Sequence, residues 1–166
     1  WHLENPRIAI LSVGSEEGKG NRLVKETSEL LVKSGMNFVG NIEANDLPYD
    51  KAEVVICDGF VGNVVMKLIE GLGGALGNYI REKMGDRLPS SELESLITDI
   101  YEISNVAEMH GGGPLLGVNG VSIVGHGKAK SAAVRRAVAT AKEVFESGFV
   151  SMLQEELATV RKKVYQ

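Results

Sequence analysis

What most constrains the fold of this chain is an alternation. Short, wholly apolar runs are each closed by a glycine- or asparagine-bearing loop and followed by a segment of helical periodicity. Residues 7–13 (RIAILSV) are the first such run. A run without polar alternation is what a strand covered on both faces requires. After the loop 14–21, residues 21–34 carry Leu23, Val24, Thr27, Leu30 and Leu31 on one helical face, and Gly35 ends that helix. Residues 36–39 resemble a second strand, ending in Gly40 and Asn41. Residues 54–57 (VVIC) resemble a third, ending at Asp58 and Gly59. Val64, Val65, Leu68, Ile69 and Leu72 then mark a helix starting near Asn63. Residues 121–124 (VSIV) read as a fourth strand, a long helix is expected over about 129–146, and Gly148 separates it from a last amphipathic stretch. Strand, loop and helix in this order predict a parallel-sheet α/β/α sandwich, one α/β domain over 1–166.

The middle of the chain breaks the rhythm. Residues 73–109 show helical signals and no strand. Gly85 and Pro89 divide them into two arms, and Ser91 with Glu94 has the spacing of a capping box. This predicts a helical hairpin inserted in the α/β domain. The hairpin bears Leu88, Leu93, Leu96, Ile97 and Ile100 at helical spacing, a stripe suited to a second subunit or, next, to a membrane surface.

Composition narrows the function. A 166-residue chain with 43% hydrophobic and 24% charged residues is globular rather than disordered. Its net charge of −4 and lack of a basic run argue against nucleic acid. A lone cysteine, Cys57, excludes an internal disulfide and fits a reducing cytoplasm. No run of about 18 apolar residues is evident, so no membrane span is expected. Three scattered histidines make no metal site, and no cofactor is called for. The chain begins without methionine and without a signal peptide, and it reads as a piece of a longer protein.

In open α/β sheets, ligands bind beyond the carboxyl ends of the strands. Four loops are expected there: 14–21, 40–46, 58–63 and 125–128. They supply Gly14, Lys19, Gly20, Asn21, Asn41, Gly59, Gly62, Gly125, Gly127 and Lys128 as candidate phosphate or substrate contacts. The glycines serve short βα turns equally well. The first loop is no P-loop, because only three residues separate Gly14 from Gly18 and Gly20 follows Lys19. The segment 58–63 (DGFVGN) opens a helix whose N–H groups suit an anion. Asn63 is a helix cap, a ligand contact or both. Lys67, one turn on, reaches the same anion or solvent. His126, between two glycines at a strand end, is a stronger functional candidate than His110 or His2.

Several of these segments, LSVGSEEGKGN (11–21), FVGNIEANDL (38–47), VVICDGFVGNVVMKLIEG (54–71), GGGPLLGV (111–118) and VGHGKAKSAAVRRAV (124–138), resemble the phosphate acyltransferase family (PlsX) of phospholipid synthesis. The resemblance runs in order along nearly the whole chain and corresponds to the C-terminal half of that family's members. It implies a fold like that of isocitrate and isopropylmalate dehydrogenases. It also implies a reaction between an acyl-carrier-protein thioester and inorganic phosphate that yields acyl phosphate.

That chemistry needs no nucleophilic triad. Phosphate is already an anionic nucleophile, and the leaving thiol has an ordinary pKa of about 8.5. What remains is to position two reactants and stabilise an oxyanion. Asn63 and Lys67 are assigned to phosphate, His126 to the carbonyl or oxyanion, and Asp58 to orienting its neighbours. Two basic clusters are expected to meet the acidic carrier: Arg81, Lys83 and Arg87, and Lys128, Lys130, Arg135 and Arg136. A homodimer through the hairpin and a cytoplasmic enzyme in peripheral membrane contact complete the expectation. A phosphotransacetylase-like enzyme using acyl-coenzyme A, or a non-catalytic anion-binding or dimerisation domain, remain the alternatives.

Overall fold

The computed structural model describes residues 3–105, 109, 111–127 and 129–165. Its elements, in chain order, are β1 (Ile8–Leu11), α1 (Arg22–Ser34), β2 (Phe38–Ile42), β3 (Val54–Ile56), α2 (Gly59–Met84), α3 (Ser90–Ser104), β4 (Gly113–Pro114), β5 (Ile123–Val124), α4 (Ser131–Glu146) and α5 (Phe149–Tyr165). They divide into two compact units. One comprises the chain to Val65 together with the segment from Glu156 onward, and the other is Met66–Glu155.

The first unit is built on a three-stranded parallel sheet of order β2-β1-β3. The central strand is the apolar run read first in the sequence. Ala9 and Ile10 are 0% and 2% exposed, and Leu11 and Ile42 are buried with them. Burial on both faces is why this strand shows no alternation. The register of β1 and β2 slips between Ile8, opposite Phe38, and Ala9, opposite Gly40. Gly40 has a φ of +97°, so Val39 is the extra residue of a bulge that glycine makes possible. The 36–39 strand therefore runs further than its apolar residues suggest and takes in Gly40 and Asn41.

Local chemistry closes α1 at both ends. The Asn21 side-chain oxygen accepts from the Val24 N–H at 3.0 Å, and Gly35 takes the left-handed conformation (φ 77°). At the amino edge of the sheet, Arg7 grips Glu53. Its main-chain N–H donates to Oε2 at 2.6 Å and its Nε to Oε1 at 2.9 Å. The Arg7 Nη2 group also pairs with Glu53, and with Asp50 at 3.1 Å. This guanidinium pulls the Glu53 carboxyl down to about 2. Lys51, 2.7 Å from Asp46, lowers that carboxyl too, helped by the Glu43 N–H.

The second unit is mostly helical. In it α2 ends at Met84 and α3 begins at Ser90. Residues 106–108, at the end of the expected range, lie outside the described residues. The arms meet through small residues. Gly73 and Gly77 are buried on α2. A Cβ on Gly73 would stand 1.9 Å from the Ser104 hydroxyl oxygen, and one on Gly77 would stand 3.4 Å from Ile97. Ser104 satisfies its hydroxyl locally by donating to the Ile100 carbonyl at 2.7 Å, so it can lie against α2 without an orphaned donor.

Three expectations are corrected here. The 121–124 segment is not a fourth parallel strand, because Ile123–Val124 pairs antiparallel with Gly113–Pro114 in a separate two-stranded ribbon. The capping box at Ser91 and Glu94 does not form. The N-cap of helix α3 is Pro89, two residues earlier, and Glu94 instead accepts from Arg81 across the hairpin at 3.1 Å. The stripe through Leu88, Leu93, Leu96, Ile97 and Ile100 is only partly open: Leu93 is buried and the Ile97 side chain lies over Gly77, while Leu96 stays exposed. Apolar residues left more than half exposed include Leu68, Leu72, Leu76 and Tyr79 along α2, and Ile103 near the end of α3.

Candidate functional site

Strands β1 and β3 are parallel neighbours, so the loops 14–21 and 58–63 leave the sheet at the same carboxyl edge, as expected. The first loop is a tight turn. Gly20 has a φ of +101°, and a Cβ there would stand 2.7 Å from Val24 and 2.8 Å from the Ser12 hydroxyl. Gly14 is buried, and a Cβ there would displace the Glu16 carboxylate, 2.8 Å away, and press on the Lys19 stem at 3.1 Å. Asn41, at the end of β2, reaches under this loop. Its Nδ2 faces the carbonyls of Glu16 and Lys19, both at 3.4 Å, while its Oδ1 and the Ser12 hydroxyl are buried with no hydrogen-bond partner among the described residues. Lys19, Gly20, Asn21 and Asn41 are thus one cluster, and Asn21 serves it as the α1 cap.

The second loop departs from the sequence reading. Helix α2 starts at Gly59, not near Asn63. Its cap is the Asp58 side chain, whose Oδ1 accepts from the N–H groups of Phe60 and Val61, both at 2.9 Å. Two first-turn donors are therefore occupied by a carboxylate of the chain itself. Asn63 lies inside the helix rather than at its start. It is exposed, and its carboxamide makes no hydrogen bond to a described residue. Gly62 lies over Cys57, whose sulfur would stand 3.0 Å from an added Cβ. Burial raises the Cys57 thiol pKa above its ordinary value, and the adjacent Asp58 adds to this.

In the second unit, Lys67 and His126 meet. The Lys67 ammonium stands 2.9 Å from His126 Nε2 and 2.6 Å from a Glu70 carboxylate oxygen. An ammonium only donates, so Nε2 accepts and the ring carries its proton on Nδ1. Two of the three lysine donors are used, and the third is available to an anion. Glu70 was absent from the sequence reading. Its signal was its place three residues after Lys67, on the same helical face. His126 owes its position to packed glycines. A Cβ on Gly112 would stand 2.2 Å from the Val124 carbonyl oxygen, and one on Gly111 would stand 2.4 Å from the Ala137 nitrogen. A Cβ on Gly125 would stand 3.3 Å from the Gly111 carbonyl oxygen. The 111–113 glycines are thus explained by packing. Lys128 and His110 lie outside the described residues.

Helix α2 is 26 residues long, and an 18-residue window of it reaches a mean hydropathy of 1.2. By length and composition it could cross a membrane, which the sequence reading missed. Its buried Gly73 and Gly77 face α3, and its Lys67 and Glu70 meet His126, as in the wall of a polar site. Of the basic clusters, Arg81 is engaged by Glu94 and Lys83 by Glu82. Lys130, Arg135 and Arg136 form no ion pair among the described residues. Also among the described residues, no three His, Cys, Asp or Glu side chains gather as metal ligands would.

A parallel βα unit with a glycine loop in one unit, and helices carrying a Lys–His–Glu cluster in the other, make this an α/β protein. The family model described as fatty acid synthesis protein matches residues 1–152. The chain belongs to that family. It is 45% identical over 161 residues to a phosphate acyltransferase of Desulfitobacterium hafniense (strain DSM 10664 / DCB-2), covering 93% of this chain and 48% of that protein. The phosphate acyltransferase of Elusimicrobium minutum is 44% identical over 161 residues, covering 94% of this chain and 47% of its own length. That of Endomicrobium trichonymphae is 39% identical over 166 residues, covering 98% and 49%. The chain spans about half the length of the curated relatives it matches.

Proposed function

We propose that the protein containing this chain is an acyltransferase that converts an acyl-carrier-protein thioester and inorganic phosphate into acyl phosphate, in phospholipid synthesis. The observation that carries this reading is the 45% identity, across 93% of the chain, to a relative named phosphate acyltransferase. The Lys67–His126–Glu70 cluster supports it chemically. A phosphate oxygen attacks the thioester carbonyl and forms a C–O bond. The tetrahedral oxyanion collapses, the C–S bond breaks, and the thiolate leaves and takes up a proton.

In this reading the third donor of Lys67 binds phosphate, with Asn63 assisting from one turn earlier on the same helix. His126 donates to the carbonyl as it gains charge. Glu70 holds the ammonium in place, and Asp58 acts by capping α2. The glycine-loop contacts Gly14, Lys19, Gly20, Asn21 and Asn41 serve the substrate, as do Gly59, Gly62, Gly125, Gly127 and Lys128. The carrier docks on Lys130, Arg135 and Arg136. A homodimer through the exposed Leu68, Leu72, Leu76 and Tyr79 face of the hairpin, and peripheral contact with the inner membrane face, fit a cytoplasmic enzyme. An α/β/α sandwich of the dehydrogenase-like type belongs to the same proposal, with the hairpin as its insertion.

The test uses the full-length protein, acyl carrier thioester and phosphate. Acyl phosphate is trapped with hydroxylamine and thiol release is followed alongside. His126→Ala should lower turnover about 100-fold, the cost of one oxyanion donor at about 3 kcal/mol, with carrier KM unchanged. Lys67→Met should raise the phosphate KM instead. Unchanged turnover in His126→Ala would remove that residue from the mechanism. Turnover of acyl-coenzyme A but not of the carrier thioester would replace the substrate.

A further inference from the structure

One groove, bordered by the Lys19 and Asn41 contacts, has no part of the substrate assigned to it in that reading. It has a volume of about 810 Å³ and lies wholly within the sheet unit, bounded by the β1–α1 loop, α1 and strand β2. Lys19, Lys25 and Lys33 line it with Glu17 and Glu29. None of the three lysines is in an ion pair among the described residues, and three lysines against two glutamates leave the lining with one net positive charge. Val32, Phe38 and Val39 supply an apolar strip.

Strand β2 is the edge of the sheet, paired only with β1 among the described strands. Its outer row of N–H and C=O groups can pair with the amides of an extended ligand. The bulge at Gly40 interrupts that row, which suits a chain with sparse amides better than a regular strand. Gly18 and Gly40 both have positive φ and both line the groove, and no atom lies within 4 Å of where a Cβ would stand. The wall there is bare backbone. Asn41, whose Oδ1 lacks a partner among the described residues, lines the groove beside Lys19 and Gly40.

We infer that this groove receives the prosthetic arm of the acyl carrier, a slender chain with a phosphodiester at one end, amides along its length and the thioester at its tip. The inference rests on the acyltransfer reading above. The phosphate lies at the Lys33 end of the groove, and Lys25 stands beside the arm about 12 Å further along α1 at 1.5 Å per residue. The amides follow the β2 edge, and the thioester tip points to Lys19 and Asn41 at the carboxyl end of the sheet.

The same arm occurs in coenzyme A, so the test compares acyl thioesters of the carrier, of phosphopantetheine and of pantetheine lacking the phosphate, all with the full-length protein. Wild type should prefer phosphopantetheine to pantetheine. Lys25→Glu with Lys33→Glu should raise the KM for the carrier and phosphopantetheine thioesters about tenfold and abolish that preference, with kcat, phosphate KM and pantetheine KM unchanged. Val39→Trp, which fills the groove, should raise the KM for all three. A folded double variant that keeps the preference overturns the inference. So does protection of the outer β2 amides from hydrogen exchange in the ligand-free protein, since a further strand would then occupy the edge. If wild type releases thiol from none of the three, the acyltransfer reading fails by itself. The groove is then decided by unacylated phosphopantetheine, which must shift the Gly18 and Gly40 amide resonances in wild type and not in the double variant.

Discussion

The two units solve the problem of burial in different ways. The sheet unit buries side chains: Ala9, Ile10 and Leu11 in one strand, with Ile42 beside them. The helical unit buries backbone. Its tight contacts are made by Gly73, Gly77, Gly111 and Gly112, by Ser104 and by Ala133. A core of side chains tolerates loss of volume at a graded cost, because neighbours relax toward the gap. A contact between backbones has nothing to move aside, so added volume is the dangerous change there. The candidate residues follow the same division. The sheet unit offers loops whose polar groups are half satisfied, as with Asn41 and Ser12. The helical unit offers a preformed Lys67–His126 pair.

The sharpest test of this contrast is Gly112→Val. Gly112 has a φ of +129°, and its Cβ would stand 2.2 Å from a carbonyl oxygen, so strain and overlap should combine to cost about 4 kcal/mol. Denaturant unfolding of the full-length protein, or hydrogen exchange within 66–155, checks it. A cost below 1 kcal/mol would mean that this contact yields, contrary to the description given for the helical unit. Ile10→Ala should cost about 3 kcal/mol through lost burial and a residual cavity, with exchange quickening first in β1, β2 and β3. Exchange quickening equally in α3 would show that the two units do not open separately.

Asp58→Ala should cost about 1 kcal/mol, because two N–H groups lose their cap. It should also free that terminus for an anion. Phosphate that stabilises the Asp58→Ala protein more than wild type would separate the structural role of this carboxylate from a catalytic one. The smallest effect concerns pH. The Glu53 carboxyl is ordinarily near 4.5 and is held at about 2 by Arg7. A depressed carboxyl stabilises the folded state above its unfolded value, and that contribution is lost as pH falls from 4.5 toward 2. Thermal midpoints of Glu53→Gln should therefore lie below wild type at neutral pH and converge with it in acid. Parallel curves would mean that the Arg7–Glu53 pair contributes nothing at the sheet edge.

Much of the helical unit was visible in the sequence without being placed. Gly85 and Pro89 marked the turn between α2 and α3, and Gly148, with a φ of +66°, marked the break between α4 and α5. The start of α2 was misplaced for a local reason. Gly59 and Gly62 look like loop residues, yet Asp58 is a strong cap and satisfies the first N–H groups whatever follows. The fourth strand was misread because two residues pairing antiparallel leave no periodicity to separate them from a short parallel run.

By itself the sequence determined whatever is decided within a few residues. This includes the buried run at Ile8–Leu11, the Asn21 cap, the left-handed Gly35 and the helical arms, because propensity, capping and period act over one or two turns. It also determined membership of the family, through motifs spread along the chain. Only the tertiary structure decided the rest. It turned the Leu93 and Ile97 stripe inward, drew Glu94 from its capping box to Arg81, and joined Lys67 to His126 across 59 residues of sequence. The physical reason is that such contacts depend on how helices and ribbons pack, and no local preference encodes which distant partner a charge or an apolar face will meet.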